Sequence, residues 1–282
     1  MARNKDRLGL DNSPEHDSPA AAFQNPGGPL TFSTPTEFVE LPSGGKFYPE
    51  GHPLFGQETI EIRHMTAKEE DILSSKTLLK KGLALDRFMQ SVVVDKSINV
   101  QDLLIGDRNA ILIAARETGY GEEYETQVVC PSCSQSSRYT FDLGQKSINK
   151  GGDELENIAW TNNGTFITKL PVLDVDVELR LLTGKDESYL TRLNQNKKKG
   201  NLADTFLTDQ LKMTIVSVSG RTDPATINSL VNHLPAKDSR HLRKVYAQAV
   251  PNVSMAQAFE CSHCNHEGVV EVPLNAEFFY PK

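Results

Sequence analysis

The sequence predicts an α+β protein built from two divergent tandem copies of one small unit, joined at a shared four-cysteine site. Three observations predict it. The only cysteines of the 282-residue chain fall in two matched pairs, Cys130-Pro131-Ser132-Cys133 and Cys261-Ser262-His263-Cys264. Each pair sits between strand-like runs, 126–129 ahead of the first and 258–260 ahead of the second, with a turn and another strand after it. Shifting the chain by the 131 positions that separate Cys130 from Cys261 also places Leu103 on Leu234, Asp107 on Asp238, Ile111 on Leu242, Val128 on Phe259 and Phe141 on Val272.

Further upstream the offset becomes 117, and the run Glu61-Ile62-Arg63-His64-Met65-Thr66-Ala67-Lys68-Glu69-Glu70 meets Glu178-Leu179-Arg180-Leu181-Leu182-Thr183-Gly184-Lys185-Asp186-Glu187. At 118, Lys80-Lys81-Gly82 meets Lys198-Lys199-Gly200, and the lead-in Leu41-Pro42 resembles Leu170-Pro171. The steps in offset are insertions, which loops tolerate. A repeat of this length is two copies of a small domain rather than a solenoid unit. The expected organisation is a disordered N-terminal arm over 1–35, a first copy over 36–145, a linker over 146–163, and a second copy with the C-terminus over 164–282.

Each element has a local reason. Residues 1–30 are rich in Asp, Pro, Gly, Ala and Asn without periodicity, too polar to offset the entropy of ordering. A short strand opens at 37–41, and the Gly/Pro turn Pro42 to Pro49 follows it. Gly44-Gly45-Lys46 is followed by Phe47 where a phosphate loop needs Ser or Thr, so the nucleotide reading fails. Residues 59–63 alternate as a half-buried strand. Thr66 and Glu69 form a capping box for a helix to about Leu79, which Lys80-Lys81-Gly82 closes. A second helix is expected over 84–94, and a third from an Asp107 cap to Gly119, before strands 124–129 and 137–143 around the first cysteine pair. The second copy repeats the plan with a strand at 175–180, helices at 185–195 and 203–216, an added helix at 223–233 and one from Asp238 to Ala249. A last strand is expected at 269–274.

Two thiolates on one tight turn supply half of a tetrahedral Zn²⁺ site, and the second turn completes it. Cys130, Cys133, Cys261 and Cys264 are therefore the expected ligands of one structural zinc ion, with no open position for catalysis. His263 and His266 lie beside the second pair and are expected to remain outside the ligand set. A redox CxxC opens a helix, whose dipole lowers the thiol pKa; here strands follow both pairs. HExxH, GxSxG and a placed GxGxxG are absent from the sequence, so no catalytic residues are assigned and no small-molecule substrate is expected. Arg63 and Arg180 recur at a strand-to-helix junction and are expected to form salt bridges there. The net charge of −7 disfavours a general nucleic-acid binder. Paired cysteines of this kind fit a reducing cytoplasm, and no apolar run reaches the length of a membrane span.

The string Phe38-Val39-Glu40-Leu41-Pro42-Ser43-Gly44-Gly45-Lys46-Phe47-Tyr48-Pro49-Glu50-Gly51 resembles the opening of the T4-type bacteriophage baseplate hub proteins. The run from Glu61 to Leu73 and the Cys130-Pro131-Ser132-Cys133 turn are similar to that family too. The resemblance is clearest over 36–145 and continues more loosely to the C-terminus. It implies a non-enzymatic assembly factor for the hub of a contractile-tail baseplate, with other hub or tail proteins as partners. The implied location is the host cytoplasm during assembly, or the virion baseplate. The alternatives are a permanent structural subunit of the hub or, from a different class, a zinc-ribbon regulator that binds nucleic acid. A thiol oxidoreductase is the further alternative that the CxxC pairs raise.

Overall fold

Alternating burial builds the first hairpin. Strand β1 (Thr36–Glu40) runs antiparallel to β2 (Thr59–Arg63), with Val39 opposite Ile60. Val39, Ile60 and Ile62 turn inward and are buried. The computed structural model describes residues 32–151, 157–200, 205–272 and 276–279; residues 1–31 of the expected arm lie outside these. From Pro35 onward the chain forms one compact unit.

After β2 the capping box starts helix α1 (Ala67–Ser74) as expected. The helix does not continue to Leu79. Ser75 adopts an extended ψ of 105° and splits it from α2 (Lys76–Lys81), which Gly82 closes in the left-handed region at φ 68°. Helix α3 (Ala84–Val92) follows, burying Phe88, Met89 and Val92. Val93 then bridges back to Ile62 of β2.

Helix α4 (Ile105–Tyr120) is the axis of the molecule. It buries Ala110, Ile111, Leu112, Ile113 and Ala115, and even Arg108 and Arg116 are almost fully covered. A helix covered on most of its circumference, charged side chains included, lies inside a core. Asp107 is not its cap, as the sequence reading expects. The helix begins two residues earlier, and Asp107 points into the protein at zero exposure. Nor does Gly119 end it. That residue lies within the helix against the Met65 sulfur, and Gly121 ends the helix instead. Strands β3 (Glu123–Val129) and β4 (Ser136–Asp142) form the first cysteine hairpin.

The stretch expected as a linker contains strands β5 (Ser147–Asn149) and β6 (Ala159–Trp160). Trp160 stacks on Phe47 and Phe166 with centroids 4.3 and 5.1 Å apart, so this polar stretch is pinned by its one tryptophan. Strands β6, β7 (Thr165–Lys169), β8 (Asp176–Arg180) and β9 (Ile215–Val218) make a four-stranded antiparallel sheet. Between β8 and β9 run α5 (Gly184–Lys199) and α6 (Phe206–Thr214). Strand β9 falls where the sequence reading extends the preceding helix to 216. Its Ile-Val-Ser-Val run pairs with β8, and β-branched residues favour that placement. Helices α7 (Pro224–His233) and α8 (Ala236–Ala249) lead to β10 (Asn252–Ser254), and β11 (Ala256–Glu260) with β12 (Glu267–Glu271) forms the second cysteine hairpin. A 3-10 turn, Ala276–Phe279, closes the described chain.

One continuous apolar core spans both halves, from Ile62, Phe88 and Ile111 to Phe166, Leu179 and Leu242. The halves also exchange backbone bonds. Strand β10 pairs with β5, and the Gly184 and Ile105 N–H groups donate to the carbonyls of Leu103 and Leu182. Gly106 lets α4 approach the Pro251 carbonyl so closely that a Cβ there would lie 2.0 Å from the oxygen.

Candidate metal centre

Each cysteine hairpin makes the same turn. In the first, the Cys130 N–H donates to the Gln135 carbonyl and the Ser134 N–H to the Cys130 carbonyl, both at 2.9 Å. In the second, the Cys261 N–H donates to the His266 carbonyl and the Asn265 N–H to the Cys261 carbonyl, again at 2.9 Å. Ser134 and Asn265, one residue past each pair, take positive φ values of 59° and 52°. Asn tolerates this left-handed conformation well; serine does so at more strain. The turn brings both sulfurs of a pair to one side of the hairpin.

Packing then brings the hairpins together. The Tyr139 hydroxyl donates to the Ala258 carbonyl at 2.7 Å, and its ring meets Phe141 and Phe259. Gln257 and Asp142 exchange bonds: the Asp142 N–H donates to the Gln257 side-chain oxygen, and the Gln257 amide donates to the Asp142 carbonyl. All four sulfurs consequently lie within 4.8 Å of one another. Across the hairpins, Cys130 Sγ lies 3.8 Å from Cys264 Sγ and Cys133 Sγ 3.7 Å from Cys261 Sγ.

These spacings fit a metal and not a covalent bridge. A disulfide needs about 2.0 Å between sulfurs. Four sulfurs at about 2.3 Å from one tetrahedral ion lie roughly 3.8 Å apart along each edge. The four cysteines could hold a metal ion. Cys130 and Cys261 are buried, Cys133 is half-buried and Cys264 is exposed, so the site has an inner and an outer face.

The thiols do not titrate alike. The Cys133 backbone N–H is the chief cause that brings the Cys130 thiol down to about 6, against desolvation. The His266 backbone N–H pulls the Cys264 thiol down, but desolvation and the three neighbouring sulfurs outweigh it and push it up to about 12. Four negative sulfurs this close repel one another, and a bound cation removes that penalty. His263 contributes its backbone N–H to Cys261 Sγ at 3.4 Å, and neither His263 nor His266 joins the cluster of ligand atoms. Each pair lies in a turn between strands, without the helix N-terminus that activates a redox thiol.

Two buried aspartates elsewhere in the fold do work that the sequence reading missed. Asp107 accepts the Ser43 N–H at 3.0 Å, the Ser43 hydroxyl at 2.6 Å and the Tyr48 hydroxyl at 2.7 Å. Asp238 accepts the Val172 and Leu173 N–H groups at 2.8 and 3.1 Å. Both aspartates thus tie the residues after a Leu-Pro step to the first turn of a helix, the largely buried α4 in one case and the half-exposed α8 in the other. Burial pushes the Asp107 carboxyl above its ordinary range, against its three donors. Arg63 and Arg180 do form the salt bridges expected of them. Arg63 grips Glu69 at 2.6 and 3.0 Å, and Arg180 grips Asp186 at 2.7 and 2.9 Å.

Residues 34–280 match the family model described as T4 bacteriophage base plate protein. The chain belongs to that family. The match covers both cysteine hairpins and the whole described core. No curated protein and no solved structure matches the chain. Membership of a base plate family implies contacts with other baseplate or tail proteins and a place in the virion. Among the described residues, no helix is long and apolar enough to cross a membrane.

Proposed function

We propose that this base plate family member is a zinc-stabilised, non-enzymatic assembly factor for the hub of a contractile-tail baseplate. The observation that carries the metal part is the set of four sulfurs, two from each hairpin, all within 4.8 Å of one another, with the cross-hairpin pairs 3.7 and 3.8 Å apart. Such a set leaves no position for a substrate or an activated water, so the ion is structural. We assign Cys130, Cys133, Cys261 and Cys264 as the ligands of one Zn²⁺ per chain. The two halves are read as divergent copies of one unit, supported by the recurrence of a Leu-Pro step on a buried aspartate and of an Arg–carboxylate pair inside a capping box.

The reading makes the chain a rigid protein-binding body that acts in the host cytoplasm while the hub is built. A base plate structural family points to a role without catalysis. The second reading, a permanent hub subunit, is favoured by the family's description as a base plate protein. Quantitative mass spectrometry of purified particles and of infected-cell lysates separates the two. An assembly factor is abundant in lysate and missing from particles; peptides at the stoichiometry of known hub subunits would make it a structural component. Elemental analysis tests the metal. One zinc per chain with four protected thiols is expected, and two ions per chain, or none with four reactive thiols, would overturn the assignment. A regulator of nucleic acid would show steeply salt-dependent binding in a mobility-shift titration, which the net charge of −7 opposes.

A further inference from the structure

Two faces of the second half carry unpaired charge of opposite sign. Helix α8 presents Lys237, Arg240 and Lys244 at i, i+3 and i+7, with Arg243 beside them, and all four are exposed. Among the described residues none of the four meets a carboxylate, while eight other cations of the chain each hold one. Arg243 donates only to the Ser239 carbonyl of its own helix, at 3.5 Å. The helix by itself does not favour this arrangement. Lys237 lies in the first turn, at the positive end of the helix dipole, and the last turn, where cations are stabilised, has none. Arg240 has Lys237 three residues behind it and Arg243 and Lys244 three and four ahead, and like charges at that spacing repel.

The second cysteine hairpin carries the opposite sign. Glu267, Val269 and Glu271 alternate outward along β12, and Glu260 of β11 stands directly opposite Glu267 on the same face. The three glutamates are exposed, and among the described residues none of them meets a cation. Like charges directly opposite across a strand pair also repel. Val269, between Glu267 and Glu271, is 73% exposed. The α8 side offers apolar side chains in return: Val172 and Leu173 are exposed on a turn that Asp238 ties to the first turn of α8. The basic row spans about 10 Å of helix and the acidic row about 13 Å of strand.

We infer that the basic face of α8 docks on the acidic face of the second cysteine hairpin of another copy of this chain. Each self-repelling row supplies the counter-charges that the other lacks, and the exposed aliphatic side chains at the two faces are buried together. The two faces are different surfaces, so the contact is heterologous and builds either a closed ring or a row of copies. The inference rests on neither the metal nor the assembly-factor reading.

Sedimentation velocity of the full chain tests it. Association is expected at about 50 mM salt and weakens about tenfold or more at about 500 mM, where exposed charges are screened. The double reversals Arg240→Glu with Lys244→Glu, and Glu267→Lys with Glu271→Lys, are each expected to stay monomeric where the unaltered chain associates. An equimolar mixture of the two regains a two-chain complex, because the reversed helix fits the reversed hairpin. Near-ultraviolet circular dichroism checks that each variant is folded. The single changes Lys237→Glu and Val269→Arg, at exposed positions, read the same contact and weaken it severalfold. A chain that stays monomeric up to about 1 mM at low salt would overturn the inference. So would association that both reversals leave unchanged, or folded reversals whose mixture remains monomeric. A monomer that instead shifts a labelled DNA duplex, and loses the shift in Arg240→Glu with Lys244→Glu, would overturn it in favour of nucleic acid on α8. Zinc content and particle composition test the proposed function separately, so a monomer with intact zinc sinks the self-contact alone.

Discussion

Asp107 and Asp238 each lie at zero exposure in the first turn of a helix and each bind the residues after a Leu-Pro step, yet they make different joints. Asp107 gathers a backbone N–H and two hydroxyls, and Tyr48 passes the network on by accepting the Leu104 N–H at 3.1 Å. Asp238 gathers two backbone N–H groups from a turn whose Val172 and Leu173 are exposed. In the second half a different tyrosine takes the Leu182 N–H, Tyr246 of α8, at 3.1 Å. One constraint, that a Leu-Pro step be fixed to the first turn of a helix, is met once by a closed polar network and once by an open turn. Polar groups in a dry network depend on each other, so the first joint tolerates less change than the second.

The largest effect should come from the cysteine site, and it should be local. Chelating the proposed zinc, or replacing Cys130 by Ser, is expected to bring hydrogen exchange in β3, β4, β11 and β12 close to the rate of an open chain while α4 stays protected. The halves share one core and the β5–β10 pair, so they hold together without the ion. Loss of α4 protection in the same experiment would mean that the metal, and not the core, joins the halves.

Next in size is the aspartate contrast itself. Asp107→Ala orphans three buried neutral donors, each of which costs about 1–3 kcal/mol when left unpaired, and should cost about 3–5 kcal/mol in urea denaturation. Asp238→Ala strands two backbone groups near solvent and should cost about 1–3 kcal/mol. Equal costs, or the reverse order, would break the comparison.

The capping boxes give a pH test. Burial alone would raise the Glu69 carboxyl, but Arg63, Ser91 and Thr66 hold it well below the carboxylate range. Burial likewise opposes Asp186, and Arg180 and Thr183 hold it down. A carboxylate with a depressed folded pKa stabilises the protein above its unfolded pKa of about 4, and that contribution is lost as pH falls towards the folded value. Stability should therefore decline below about pH 4. Glu69, which has the extra Ser91 hydroxyl at 2.7 Å, should keep its charge to lower pH than Asp186 in a carboxyl NMR titration. Coincident titration would show that Ser91 contributes nothing. The smallest effect belongs to Arg138 and Glu125, whose side chains are 79% and 45% exposed at 3.3 Å. Glu125→Ala should shift stability by about 0.5 kcal/mol or less.

The hairpins and their cysteines were legible in the sequence because alternation and a CxxC turn are local signals. The capping boxes were legible for the same reason, down to the Arg–carboxylate pairs. Asp107 was assigned the wrong task, and Asp238 was given none beyond opening its helix. An aspartate at a helix start suggests a cap, and only the position of the distant Ser43 and Val172 shows that it faces inward. Ser75 breaks a helix that its own periodicity supports, and β9 was absorbed into a helix because a four-residue apolar run carries no period of its own. The C-terminal turn had no signal beyond two adjacent phenylalanines.

What the sequence determined by itself was the set of short-range choices: strands, caps, turns and the two CxxC pairs in tight turns. Those depend on residues within a few positions of one another. Tertiary structure alone decided which surfaces met. It placed the two hairpins so that four sulfurs lie within reach of one centre, ran α4 through a core common to both halves, and packed the C-terminal turn against α3 and α4. Such choices depend on long-range packing and on the burial of polar groups against distant partners, and no local pattern encodes either.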